Sequence, residues 1–203
     1  MRLLALTTLV ASLSVASAFD WINPRYWQVQ AETAKLIGAA VRRGNAVLEV
    51  DAVDGAKNLY YLPLGCSVTQ WVGAAAASQD LGPTRQAAAK NGLGLEIAKT
   101  RSDARPPKLA AGSFDAALTL GALGRARDRG GLDAAAATAE AALAALRPDG
   151  LLVFVEDAAS EETLAACLDE SPLVAECDAR LEHGAILGVA RRAPDAKKKG
   201  FKA

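Results

Sequence analysis

The chain is predicted to adopt a doubly wound α/β fold, a mostly parallel sheet with helices on both faces, and three observations support this. Short apolar runs alternate with helical segments along most of the length, the pattern of strand, crossover helix and parallel strand. The run Val47, Leu48 and Val50 has the length and composition of a buried parallel strand, and it leads into a turn and then a segment of helical character. The 203 residues are 51% hydrophobic and 23% charged, enough for one domain with a sizeable core.

The elements follow in order. Met1 to Ala18 carries Arg2, an apolar stretch and a small-residue end at Ala16-Ser17-Ala18, the pattern of a secretory signal peptide. It is too short and too rich in Ser and Thr to span a membrane, which takes about 20 apolar residues. Residues 19–43 form an aromatic segment, with Trp21, Tyr26 and Trp27 around Pro24, then a helix from Gln28 to Arg43 that Gly44-Asn45 ends. The main domain is assigned to residues 44–192. It begins with strand Ala46 to Val50 and a helix from Gly55 to Leu62, stopped by Pro63 and Gly65. Strand Ser67 to Val72, helix Pro83 to Lys90, and strands Leu95 to Lys99 and Phe114 to Leu120 come next. Helix Ala134 to Leu146, strand Leu151 to Glu156, helix Glu161 to Leu168 and strand Ala185 to Ala190 complete it. The alanine runs favour helix. Residues 193–203 are a basic tail with Lys197, Lys198, Lys199 and Lys202, a solvated end and a candidate for peripheral contact with an anionic membrane.

Charge and rare residues exclude several classes. With 23 basic and 23 acidic side chains the net charge is zero, so no electrostatic footprint for nucleic acid is present. Cys66, Cys167 and Cys177 lack metal-ligand spacing and read as small thiols, although a Cys167–Cys177 bridge is conceivable. The single histidine, His183, offers no metal cluster and reads as a turn residue remote from the expected pocket. Neither a Gly-x-Ser-x-Gly elbow nor a P-loop occurs.

Four segments together resemble one family. Asn58 to Thr69, Asn-Leu-Tyr-Tyr-Leu-Pro-Leu-Gly-Cys-Ser-Val-Thr, is similar to the helix after the cofactor loop and the second strand of class I S-adenosylmethionine-dependent methyltransferases. The nearest likeness is to the ubiquinone-biosynthesis type and thiol methyltransferase relatives. Ser113 to Leu118 resembles the fourth-strand motif, Leu146-Arg147-Pro148-Asp149-Gly150 through Glu156 the entry to the fifth strand, and Ile186 to Ala190 the closing strand. The resemblance implies a Rossmann-like sheet with the cofactor beyond the carboxyl ends of its strands. It further implies cofactor contacts from Glu49 to the methionine end, from Asp51, Gly55 and Asn58 around the first turn, and from Asp103 to the adenine amino group. Each has a structural alternative: Glu49 and Asp103 as helix caps or solvent-facing acids, and Asn58 as a turn residue.

The sequence departs from the family pattern in two places. Three loop glycines of the family align with Asp51, Val53 and Gly55. Aspartate tolerates a left-handed turn, whereas β-branched Val53 is strained in one. The acid that grips the ribose aligns with Val72, leaving Asp51, Asp54 or Asp80 as candidate substitutes. Weak or absent binding of S-adenosylmethionine is the expectation.

Two functions follow from the resemblance. One is methyl transfer to a small apolar acceptor lined by Thr119 to Gly124, with the sulfonium supplying the chemistry and alignment much of the rate. The other is a non-catalytic binding or interaction module with a degraded cofactor site. A dinucleotide reductase fits worse, because the glycine fingerprint, the acid after the second strand and a Tyr-x-x-x-Lys are all missing. The leader junction Ala16-Ser17-Ala18-Phe19 resembles that of proteins delivered to complex plastids of secondary algae, and Asp20 departs from it. Plastid delivery is the first expectation, and the general secretory route the alternative.

Overall fold

The computed structural model describes residues 23–53, 56–73, 80–99 and 108–194. The predicted leader, residues 195–203 of the basic tail, Trp21, Asp54, Gly55, Asp103 and the alanine run Ala74 to Ala77 lie outside the described residues.

Seven strands form one sheet: β1 Ala46–Glu49, β2 Ser67–Val72, β3 Gly94–Lys99, β4 Phe114–Leu120, β5 Leu146–Asp157, β6 Val174–Glu182 and β7 Ala185–Arg192. Their order is β3-β2-β1-β4-β5-β7-β6. Strands β1 to β5 pair in parallel, while β7 runs antiparallel to β5 and β6 antiparallel to β7. The doubly wound, mostly parallel prediction is therefore the fold observed.

Successive strand side chains point to opposite faces, so the central strands feed two cores. Leu48, Ala117, Leu152 and Phe154 lie on one side with helix α3, Ala122–Ala145, and with Leu164, Cys167 and Leu168. Helix α4, Glu161–Leu164, supplies the first of these and continues as a π-helical turn over Ala165–Asp169. Val47, Val68, Ala116, Leu118 and Val153 lie on the other side. There they meet Ile37 of helix α1, Pro24–Ala40, and Ala87 and Ala88 of helix α2, Gly82–Lys90. Asn23 caps α1 by accepting from the Arg25 N–H at 3.0 Å, and Pro24 occupies the first turn, where its missing donor costs nothing.

Five elements differ from the sequence prediction, and the first is α1, which spans Pro24–Ala40 rather than Gln28 to Arg43 because Pro24 opens it and Val41 is already extended. The helix expected from Gly55 to Leu62 is described only as a 3-10 turn, Asn58–Tyr61, because Pro63 follows so closely. Helix α3 begins twelve residues before its predicted start and is kinked at Gly130 and Gly131, the latter with φ of 74°. Strand β5 starts at Leu146 rather than Leu151, continuing through a register shift opposite Phe114 to Ala116. Strand β6 was not predicted at all: its residues from Ala175 to Leu181 are exposed, so they never form a buried apolar run. All three cysteines are free thiols, with Cys66 and Cys167 buried and Cys177 exposed.

Candidate functional site

A cleft of about 800 Å³ opens at the carboxyl ends of β1, β4 and β5. Its position follows from topology. The chain leaves β1 toward β2 on one side, while β4 flanks β1 on the other, and such a reversal of winding leaves a crevice beyond the strand ends. Helix α1 contributes Arg25, Tyr26, Gln30 and Thr33 to the same cleft.

Glu49 ends β1 and is buried at the cleft floor. Asn58 Nδ2 donates to its Oε1 at 2.6 Å, and Gln70 Nε2 from the neighbouring strand donates to Oε2 at 2.7 Å. Both carboxylate oxygens thus accept a hydrogen bond, which satisfies the acid where water cannot reach it. The structure brings together Glu49 and Asn58, two of the residues singled out in the sequence.

Asp51 takes the left-handed conformation expected of it, with φ of 50°. Its carboxylate is buried and receives Arg125 Nε and Arg129 Nη2 from α3, each at 3.0 Å. Arg125 also donates to the Asp51 carbonyl at 2.8 Å and to the Leu120 carbonyl at 3.1 Å. One guanidinium therefore ties the end of β1 to the end of β4. Val53 does not take the left-handed turn that would strain it and stands half-exposed in the cleft lining. Val72 is buried at the end of β2, an aliphatic group with no polar atom to offer a ligand. In the predicted acceptor segment, Leu120 and Gly121 line the cleft, and Thr119 is fully buried.

Three cleft residues were not identified from sequence. Arg125 and Glu156 carry no sequence signal, because an arginine in a helix and an acid at a strand end are unremarkable until the fold sets them beside Asp51 and α3. Glu156 accepts from the Leu123 and Gly124 N–H groups at 3.0 and 3.1 Å, capping α3 from across the sheet. The third is His183, and its expected position far from the pocket is corrected. Strand β7 is antiparallel to β5, so the turn that enters β7 lies at the carboxyl end of β5 and carries His183 into the cleft lining. Arg25 of α1 donates to the His183 carbonyl. Lys57 donates to the Tyr26 hydroxyl at 2.6 Å and lies 4.7 Å from its ring centre, a cation–π contact that fixes the helix over the cleft. Tyr26 and Trp27 pack edge to face, and Trp27 remains exposed.

Burial raises the Glu156 carboxyl to about 7, outweighing the Leu123 and Gly124 N–H groups and Arg125, which all favour the charged form. Since the folded chain holds this proton more tightly than the unfolded chain, stability contributed at low pH is lost as pH rises through 7. Glu156→Gln is expected to flatten this dependence. Between about pH 5 and about pH 8 the wild-type melting temperature should fall a few degrees further than that of the variant, read by paired thermal melts.

Among the described residues no group of three His, Cys, Asp or Glu is placed to hold a metal ion, and no helix is long and apolar enough to cross a membrane.

No family model matches the chain, and no curated protein does. Solved structures do. The N-methyltransferase NodS from Bradyrhizobium japonicum WM9 superposes with a TM-score of 0.59 at 18% identity, covering 84% of this chain and 98% of that one. NodS has also been solved in complex with S-adenosyl-L-homocysteine. A putative methyltransferase in complex with the Haloferax volcanii Trm112 activator gives 0.59 at 15% identity, covering 88% and 95%. The [4+2]-cyclase SpnF gives 0.56 at 13% identity, covering 89% and 95%. The chain has the Rossmann-like fold of class I S-adenosylmethionine-dependent methyltransferases. It is methyltransferase-like in architecture, and a shared fold does not by itself fix the chemistry of the cleft.

Proposed function

We propose that this chain is a non-catalytic binding module on the methyltransferase fold, with a cleft that takes a small polar ligand and no longer grips S-adenosylmethionine as an enzyme would. The observation that carries this reading is the Arg125–Asp51 contact. Where the family has an open glycine turn, a buried carboxylate stands paired to two arginines. The carbonyls of Asp51 and Leu120, which face the end of the crevice, already accept from Arg125. S-adenosylmethionine brings a sulfonium and an ammonium beside its carboxylate, so two guanidiniums sharing the one Asp51 carboxylate disfavour its cationic end at that point. Val72 supports the same conclusion, because an aliphatic side chain cannot receive the ribose hydroxyls, and each hydroxyl left unpaired costs about 1 to 3 kcal/mol. On this reading Val72 and the Arg125–Asp51 contact together weaken the family's grip on the cofactor.

Methyl transfer to a small apolar acceptor is the second reading. What favours it is the intact floor of the cleft, with Glu49 held by Asn58 and Gln70, and a volume within the usual range for small-ligand sites. Calorimetric titration of the chain with S-adenosylmethionine and S-adenosylhomocysteine separates the two. No binding tighter than millimolar is expected, and micromolar binding would overturn the loss of the cofactor's grip proposed here and favour the second reading.

A further inference from the structure

Strand β6 is the last in the sheet, and among the described residues no strand pairs with its outer edge. The strand contains no Pro or Lys, and although four of its nine residues are charged they carry both signs, so its edge is not blunted by charge of one sign. A register irregularity between Val174 and Glu176 marks one end, leaving regular alternation from Glu176 to Glu182. On that stretch the two faces differ sharply. Cys177, Ala179 and Leu181 lie on one side, beside a hollow of about 300 Å³ lined also by Phe154, Leu164 and Ile186, with Glu161, Asp169 and Arg180 contributing to its lining. Glu176, Asp178, Arg180 and Glu182 lie on the other. Leu181 is 67% exposed, unusual for a leucine at the rim of such a hollow.

We propose that the partner of this edge is β6 of a second copy, running antiparallel with Ala179 on the two-fold axis. A two-fold interface must be complementary to itself, and this register is. Cys177 faces the partner's Leu181 on the apolar side, twice by symmetry, and Ala179 faces the partner's Ala179. On the polar side Asp178 faces the partner's Arg180, also twice, so the charges nearest the axis are opposite in sign. Glu176 meets the partner's Glu182 only at the two solvent-exposed ends, where water and salt weaken repulsion. Arg180 already reaches Glu32 at 3.1 Å and Glu182 at 3.2 Å, and its side chain, 51% exposed, retains room for a further carboxylate. Sliding the strands by one pair in one direction would set Asp178 against the partner's Asp178 on the axis and carry Leu181 onto the irregular Ala175, and in the other would set Arg180 against the partner's Arg180. Directly opposed residues contribute most to strand pairing, so the first register is selected. The edge N–H and C=O groups of both copies then bond to each other, and the two sheets become one.

Sedimentation of the full chain across the micromolar range is expected to show a species of twice the 21.0 kDa monomer mass. Arg180→Asp, which sets acid against acid on both sides of the axis, should weaken association at least about tenfold. Asp178→Arg combined with Arg180→Asp should restore it, an outcome that loss of the Glu32 contact alone would not give. Ala179→Cys in a Cys177→Ser background should form a disulfide dimer on mild oxidation, since Cα atoms directly opposite lie within bridging distance. A monomer at every concentration overturns the proposal. So does a dimer indifferent to Arg180→Asp, failure of the charge swap to rescue, or a dimer that the new cysteine cannot cross-link.

Discussion

Asp51→Ala is expected to lower the melting temperature by about 6 to 12 °C, from two losses at one position. The first is electrostatic. Breaking a fully buried ion pair by removing one partner costs about 3 to 5 kcal/mol, and because the Arg125 and Arg129 side chains are 35% and 37% exposed, solvent reduces this to about 2 kcal/mol. The second is conformational, since alanine at a φ of 50° adds about 1 kcal/mol that aspartate largely avoids. Asp51→Gly should be milder, losing the ion pairs while keeping the turn. Asp51→Gly with Arg125→Ala clears both the carboxylate and the guanidinium from the strand ends, and should bind S-adenosylmethionine at least about tenfold more tightly than the wild type. If the folded double variant shows no gain by calorimetry, the Arg125–Asp51 contact is not what closes the cleft to the cofactor.

Gly188→Ala is expected to cost about 3 kcal/mol through overpacking at the join of β5, β6 and β7. A Cβ on Gly188 would stand 2.3 Å from the Phe154 ring and 2.4 Å from the Asp178 carbonyl oxygen. Phe154 is fully buried and the carbonyl belongs to a paired strand, so neither has space to retreat. Gly38 in α1 provides the control. A Cβ there would meet nothing within 4 Å, so Gly38→Ala should stabilise by about 0.5 to 1 kcal/mol, the ordinary helix preference. Denaturant unfolding of the two variants should move in opposite directions, and equal effects would mean that packing at Gly188 is looser than its neighbours indicate.

The buried strands were legible because each is a run of side chains that cannot face water. Val47, Leu48, Val68, Ala116, Leu118, Leu152 and Phe154 carry that signal on every central strand. Strand β6 gave no such signal, because charged residues alternate with Cys177, Ala179 and Leu181 and both faces are exposed. The first half of α3 was equally silent, since Gly121, Gly124, Gly130 and Gly131 interrupt a stretch crowded with arginines and aspartates. At the site, Glu49, Asp51 and Asn58 were recognisable from their place after the first strand. Their partners were not. Arg125 stands 74 positions from Asp51, and Gln70 stands 21 from Glu49 on another strand.

By itself, then, the sequence determined the alternation of strands and helices, the turn at which a ligand would approach, and the loss of glycine there, because periodicity and backbone freedom are local properties. Only the tertiary structure decided what occupies that turn. The antiparallel β7 brings His183 to the cleft, and α3 crosses the end of β4 to set Arg125 against Asp51 and Glu156 beneath its own first turn. Charge pairing and burial depend on which distant residues share a volume, and that is settled by the order of strands in the sheet.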